Sequence, residues 1–258
     1  MYRARPDHGL AWITGASSGI GRATALELAR RGYRVAATAR RVEELSELSR
    51  EAAGMGLRID AFPGDVTDRE GMAALVARIE AGAGPVALAM LNVGTFFRDR
   101  PGDWCGEDFR RTMSVNFDGA LNGFAPLVPR MTARGRGQIA VMASVAGYGG
   151  LPGAAAYCAS KSALIVACAS MRPQLAREGV AIQVICPGFV RTPLTDHNDF
   201  PMPFMIGVED AARRICDGFE REGFEIAFPR RMTWLLKAIN LLPWRAYFAL
   251  TGLAARKG

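Results

Sequence analysis

The 258-residue sequence predicts an α/β protein: one doubly wound domain on a parallel seven-stranded sheet, followed by an amphipathic helical tail. Three observations predict it. Short apolar runs without strict alternation recur along the chain, as strands covered on both faces require. Helix-like segments separate these runs, which is the order of parallel strands joined by right-handed crossovers. Half the residues are hydrophobic and 22% are charged, a balance that supports a sizeable core and excludes a disordered chain.

The elements follow in order. Residues 10–14 read as a buried strand, 15–21 as a glycine-rich turn and 22–31 as a helix, with Gly32 placed to end it. Strands are expected at 35–39, 57–62, 86–91, 138–143, 181–185 and 224–228. Helices are expected at 42–53, 68–80, 107–121, 157–177 and 209–221, with Asp68 as an N-cap. Pro126 and Pro129 interrupt the segment before Arg134, and Pro173 falls inside the long helix, where each proline removes a backbone hydrogen bond. Residues 1–228 then form one α/β domain, and 229–258 a helical extension broken near Pro243.

The formal net charge is +7, which suits an anionic ligand or an acidic lipid. Nucleic-acid binding is not expected, because there is no recognition motif and no basic stripe outside the tail. The five cysteines form no C-x-x-C pair and only His8 and His197 are histidines, so no metal site is expected. Reduced thiols and a polar N-terminus without the apolar core of a signal peptide point to a cytoplasmic protein.

Three clusters carry chemistry. In the first, Gly15, Gly19 and Gly21 follow a strand and open a helix, with Ser17, Ser18 and Ile20 between them. Glycines permit the tight turn and the close approach of a pyrophosphate, and the helix N-terminus supplies free N–H groups and a positive dipole end. In the second, Arg40 and Arg41 end the second strand, where an acidic residue would bind a ribose hydroxyl; guanidinium groups there suit a 2′-phosphate, and so NADP(H). In the third, Tyr157 and Lys161 share one helix face, with Ser144 at the end of the fifth strand. An ammonium beside a phenol lowers its pKa, which equips tyrosine for proton transfer at a carbonyl or alcohol, and serine can donate a hydrogen bond to the same oxygen.

Taken in order, Thr14-Gly-Ala-Ser-Ser-Gly-Ile-Gly21, Gly64-Asp65-Val66, Asn92-Val93-Gly94, Asn116, Ser144, Tyr157-Cys-Ala-Ser-Lys161 and Pro187-Gly-Phe-Val-Arg-Thr192 resemble the short-chain dehydrogenase/reductase family over roughly residues 8–228. The resemblance implies a Rossmann-type fold and a homodimer or homotetramer. It implies that Tyr157 is the proton donor and acceptor, that Lys161 holds the nicotinamide ribose, that Ser144 positions the carbonyl and that Asn116 holds a water linking Lys161 to solvent. It further implies adenine contacts from Asp65 and Val66, and a role for Asn92, Val93 and Gly94 beside the adenosine ribose. Pro187, Gly188, Val190 and Thr192 are implied to line the nicotinamide side. Val93 stands where the family usually has alanine.

Residues 194–208 are expected to cover the substrate. The apolar run 200–206 fits either a hydrophobic substrate cleft or a loop packed on the protein's own core. The tail mixes Trp234, Leu235, Leu241, Trp244 and Phe248 with Arg230, Arg231, Lys237 and Arg245. That mix fits peripheral membrane contact, or an arm packed on the same or a neighbouring subunit. The functional expectation is an NADP(H)-dependent oxidoreductase acting on a moderately hydrophobic carbonyl or secondary alcohol. The alternative is an NADP(H)-binding sensor or scaffold recruited through the tail.

Overall fold

The computed structural model describes residues 2–99, 102, 104–196 and 201–255. Seven strands form one parallel sheet in the order β3-β2-β1-β4-β5-β6-β7. They are β1 (Leu10–Thr14), β2 (Val35–Thr38), β3 (Ile59–Ala61), β4 (Val86–Leu91), β5 (Gly137–Met142), β6 (Val180–Pro187) and β7 (Glu225–Phe228). The helices are α1 (Gly19–Arg30), α2 (Val42–Gly54), α3 (Arg69–Ala83), α4 (Glu107–Met113), α5 (Gly119–Ala133), α6 (Ala155–Arg177), α7 (Val208–Phe219), α8 (Arg230–Asn240) and α9 (Trp244–Ala255).

The sheet is covered on both faces, which explains why its strands do not alternate. Ile13 joins the apolar layer under α1, α2 and α7, while its neighbour Trp12 joins the layer under α3, α5 and α6. The Trp12 indole, fully buried, donates to Thr38 Oγ1 at 2.9 Å, so its one polar atom is satisfied. Asp68 caps α3 by accepting from the Gly71 N–H at 2.9 Å, as expected.

The region 107–133 departs from the expected single helix over 107–121. α4 leads into a π-helical turn, Ser114–Asp118, and α5 then runs through both Pro126 and Pro129. The prolines do not end it, because Phe124, Leu127 and Met131 bury one face against the sheet. That packing outweighs the missing hydrogen bonds, and the carbonyl of Ala125 freed by Pro129 lies on an exposed residue. Gly123 allows the close approach, since a Cβ there would meet Leu91 at 2.8 Å. α1 also begins earlier than expected, at Gly19. α6 likewise starts two residues before Tyr157 and continues through Pro173.

Two glycines with different surroundings test this account. A Cβ at Gly21 would lie 2.2 Å from the backbone oxygen of Gly15, whereas one at Gly82 meets nothing within 4 Å. Gly21→Ala is therefore expected to lower stability by roughly 2–4 kcal/mol, and Gly82→Ala, inside α3, to raise it by roughly 0.5–1 kcal/mol. Urea unfolding of the two variants measures both.

Candidate active site

β1 and β4 are neighbours in the sheet whose following helices cover opposite faces. In a doubly wound sheet a crevice opens at this point, beyond the carboxyl ends of the strands. A cleft of about 430 Å³ lies there. Gly15, Ser17, Ser18, Gly19 and Ile20 line it from the turn, Arg40 and Arg41 from the end of β2, and Asp65 and Val66 from the end of β3. Asn92, Val93 and Gly94 line it after β4, Ser144 after β5, Tyr157 and Lys161 from α6, and Pro187, Gly188, Val190 and Thr192 at and after the end of β6.

Gly21 and Asn116 stand one layer behind the wall. Gly21 packs on Gly15 and Asn92. Asn116 lies in the π-helical turn, fully buried; its Oδ1 accepts from the Thr95 N–H at 2.7 Å, and its Nδ2 donates to the Thr95 carbonyl and to Ser160 Oγ, both at 3.0 Å. Both amide donors are thus engaged in stapling the loop after β4 to α6. Thr67, Thr95, Arg111 and Val115 also line the cleft and were not singled out from the sequence. The first two directly follow the quoted motifs. Arg111 and Val115 sit four apart on the helical segment that leads to Asn116, a spacing that could have marked them.

The glycine turn is built for close approach. Gly15 and Gly19 adopt φ of 67° and 55°, in the left-handed region. The Ser18 side chain makes no capping bond to α1, and no acidic residue occupies the first turn of that helix. Arg41 donates to Ser17 Oγ at 3.0 Å and to Ser18 Oγ at 3.1 Å, so a guanidinium joins the positive end of α1. Arg40 is exposed beside them. At the β3 end, burial works against the charge of Asp65. The Thr67 N–H and hydroxyl together with Arg40 nonetheless hold its carboxyl below the usual value.

At the other end of the cleft, burial pushes the Tyr157 phenol up to about 12 and outweighs the Ser144 hydrogen bond, which lowers it. The expected lowering by Lys161 is not realised. Burial pulls the Lys161 ammonium down to about 8, and its Nζ donates to the Met142 carbonyl at 2.8 Å. It stands 5.7 Å from the centre of the Tyr157 ring. Phe96 packs nearly perpendicular to the same ring, with 5.5 Å between ring centres. A Cβ at Gly94 would come within 3.4 Å of Lys161 Nζ.

The segment that follows β6 is pinned at both ends. Val190 and Ile206 pair as a parallel bridge, and Thr195 Oγ1 donates to the Val190 carbonyl at 2.8 Å. Ile206 and Val208 pack on the protein's own core, while Phe204 is exposed; residues 197–200, at the centre of the expected lid, lie outside the described residues.

A doubly wound parallel sheet with its cleft at the switch point defines a Rossmann-type α/β protein. The chain belongs to the short-chain dehydrogenase/reductase family: residues 10–200 match the family described as short chain dehydrogenase. It is 36% identical over 233 residues to an uncharacterized oxidoreductase of Myxococcus xanthus, covering 90% of this chain and 92% of that one. It is 33% identical over 184 residues to the 3-oxoacyl-[acyl-carrier-protein] reductase FabG of Thermotoga maritima, covering 71% and 75%. The crystal structure of an actinorhodin polyketide ketoreductase variant with NADPH superimposes with a TM-score of 0.77 at 25% identity, over 87% of this chain and 96% of that one.

The buried ammonium has a thermodynamic consequence. At pH 7 Lys161 is charged in both the folded and the unfolded chain, and its desolvation destabilises the fold in full. As pH rises through about 8 the folded state releases the proton first, and the penalty fades by the ordinary lysine value of 10.5. Lys161→Met is expected to raise stability at pH 7 by on the order of 1–3 kcal/mol. The gain should shrink steadily between pH 8 and 10.5, as read by urea unfolding across that range.

Proposed function

We propose that the protein is an NADP(H)-dependent oxidoreductase that interconverts a carbonyl group and a secondary alcohol on a moderately hydrophobic small molecule. The observation that carries this reading is the convergence, in one cleft, of Ser144, Tyr157 and Lys161 at one end with Arg40 and Arg41 at the other. The turn fits a dinucleotide: a cradle that side chains would fill, a helix N-terminus without a side-chain cap, and guanidinium groups for a 2′-phosphate. The reductase and ketoreductase relatives, one of them with NADPH, support the same reaction class.

The bound cofactor supplies the hydride. Tyr157, protonated at neutral pH, gives its phenolic proton to the carbonyl oxygen as that oxygen gains charge. Ser144 donates a hydrogen bond to the same oxygen, and Phe96 packs nearly perpendicular to the phenol ring. Lys161, in the cleft wall beside Tyr157, stabilises the phenolate left behind and binds the nicotinamide ribose. Asn116 positions the Thr95 loop against α6. Asp65, Val66, Asn92, Val93 and Gly94 take the adenosine half, and Pro187, Gly188, Val190 and Thr192 the nicotinamide side. Residues 1–228 form the catalytic body, with residues 194–208 covering the substrate. On the family resemblance the proposal extends to a cytoplasmic homodimer or homotetramer.

Cofactor oxidation against carbonyls graded in size and apolarity tests the reading. NADPH turnover is expected, and Tyr157→Phe should lower kcat by roughly 10²–10⁴-fold with NADPH binding unchanged. Full turnover in that variant would exclude Tyr157 as the proton donor. Arg40→Ala with Arg41→Ala should raise the KM for NADPH by roughly 10–100-fold and leave that for NADH nearly unchanged. The kcat/KM for reduction should hold at neutral pH and fall above about 8, as Lys161 loses its charge in the free enzyme.

A further inference from the structure

We propose that α8 and α9 dock the protein on an anionic lipid surface, lying in the plane of the interface. The inference concerns the tail alone and does not rest on the reaction proposed above.

Charge points to the partner. Residues 229–258 hold six basic residues and no acidic one, so the tail carries all but one of the chain's seven excess positive charges. Arg230, Arg231 and Arg245 are exposed. Apolar exposure coincides with this charge. Of thirteen exposed large hydrophobic side chains among the described residues, seven lie between Trp234 and Leu250. Leu241 is 86% exposed, Trp244 71%, Trp234 70% and Phe248 63%. They run from the outer face of α8 through its connecting turn onto α9, where Trp244 and Phe248 stack at 5.5 Å. Tryptophan and leucine interleaved with arginine is the composition of helices that settle at the headgroup boundary. With 11 and 12 residues, the two helices are too short to cross a bilayer.

The opposite faces hold the tail to the body, so the exposed face is displayed in a fixed orientation. Met232 and Leu236 pack on the core layer, and Thr233 and Tyr247 are buried. Lys237 pairs with Glu225, which also accepts from the Tyr148 hydroxyl, and the Tyr247 hydroxyl donates to the Gly150 carbonyl. Gly150 and Tyr148 lie between Ser144 and Tyr157, so docking through the tail also fixes the lipid surface relative to that wall of the cleft. A second copy of this chain fits the patch less well. A two-fold contact places the same patch on both sides, and here both patches would bring arginine with no tail carboxylate to pair it.

The test is co-sedimentation of the full chain with vesicles of pure phosphatidylcholine and of phosphatidylcholine containing about one-third phosphatidylglycerol. Binding to the anionic vesicles is expected, with a strong loss in high salt and a blue shift of tryptophan fluorescence that Trp234→Ala plus Trp244→Ala removes. Arg230→Gln, Arg231→Gln and Arg245→Gln combined should weaken partition by roughly 100-fold at about fivefold per charge. Unchanged urea unfolding in these variants establishes that the body is intact. Equal binding to both vesicles, binding to neither, or a drop in oligomer size in the variants without a change in vesicle binding would overturn the proposal.

Discussion

The cleft depends on how two diverging strands are held together at their ends. The Asn92 N–H donates to Thr14 Oγ1 at 2.9 Å, and its side-chain amide reaches the Thr14 and Gly15 carbonyls at 3.3 and 3.4 Å. These bonds tie the last residue of β1 to the first beyond β4, where the chain turns toward opposite faces of the sheet. The tie leaves no room for a side chain at Gly21, where a Cβ would fall 2.5 Å from the Asn92 amide. The start of α1, the open crevice and the required glycine thus share one cause. Asn122 extends the same logic by donating to the Val66 carbonyl at 2.9 Å, which holds the loop after β3 in place.

The inner end of the cleft carries a conflict between stability and chemistry. Lys161 is almost fully buried and its ammonium donates to the Met142 carbonyl, while burial raises the Tyr157 phenol. A fold selected for stability alone would place an apolar side chain at position 161. Burial displaces the two groups in opposite directions, the Tyr157 phenol up to about 12 and the Lys161 ammonium down to about 8, so each is pushed toward its neutral form.

Much of this was legible in the sequence. Strand runs such as 10–14 and 86–91 coincide with the observed strands because burial on both faces makes them apolar throughout, Thr14 at the end of the first excepted. The glycine turn, the paired arginines and the tyrosine–lysine spacing are local patterns, and the fold carries all of them to one cleft. Tertiary packing decided what was less legible. α5 survives two prolines because its buried face meets the sheet, which no local propensity registers. The π-helical turn that places Asn116 has no spacing signal, and the direction of the tyrosine shift depends on desolvation, which the sequence does not display.

The use of arginine separates body from tail. Arg31 bridges α1 to α7 through Glu27, Asp217 and Glu220, and Arg130 and Arg134 both meet Glu80 across α5 and α3. In these positions cations meet carboxylates from distant segments and fix how helices pack around the sheet. Removing the acidic partners would leave the body with repulsion and no gain. The tail inverts this arrangement: among the described residues Lys237 reaches Glu225 on β7, and Arg230, Arg231 and Arg245 stand on the exposed side with no acidic residue in the thirty positions of the tail. Surface ion pairs contribute little to stability, so their absence costs the fold little. What the absence does create is a positive potential over an apolar face, the two features that the proposed anionic lipid surface would meet together.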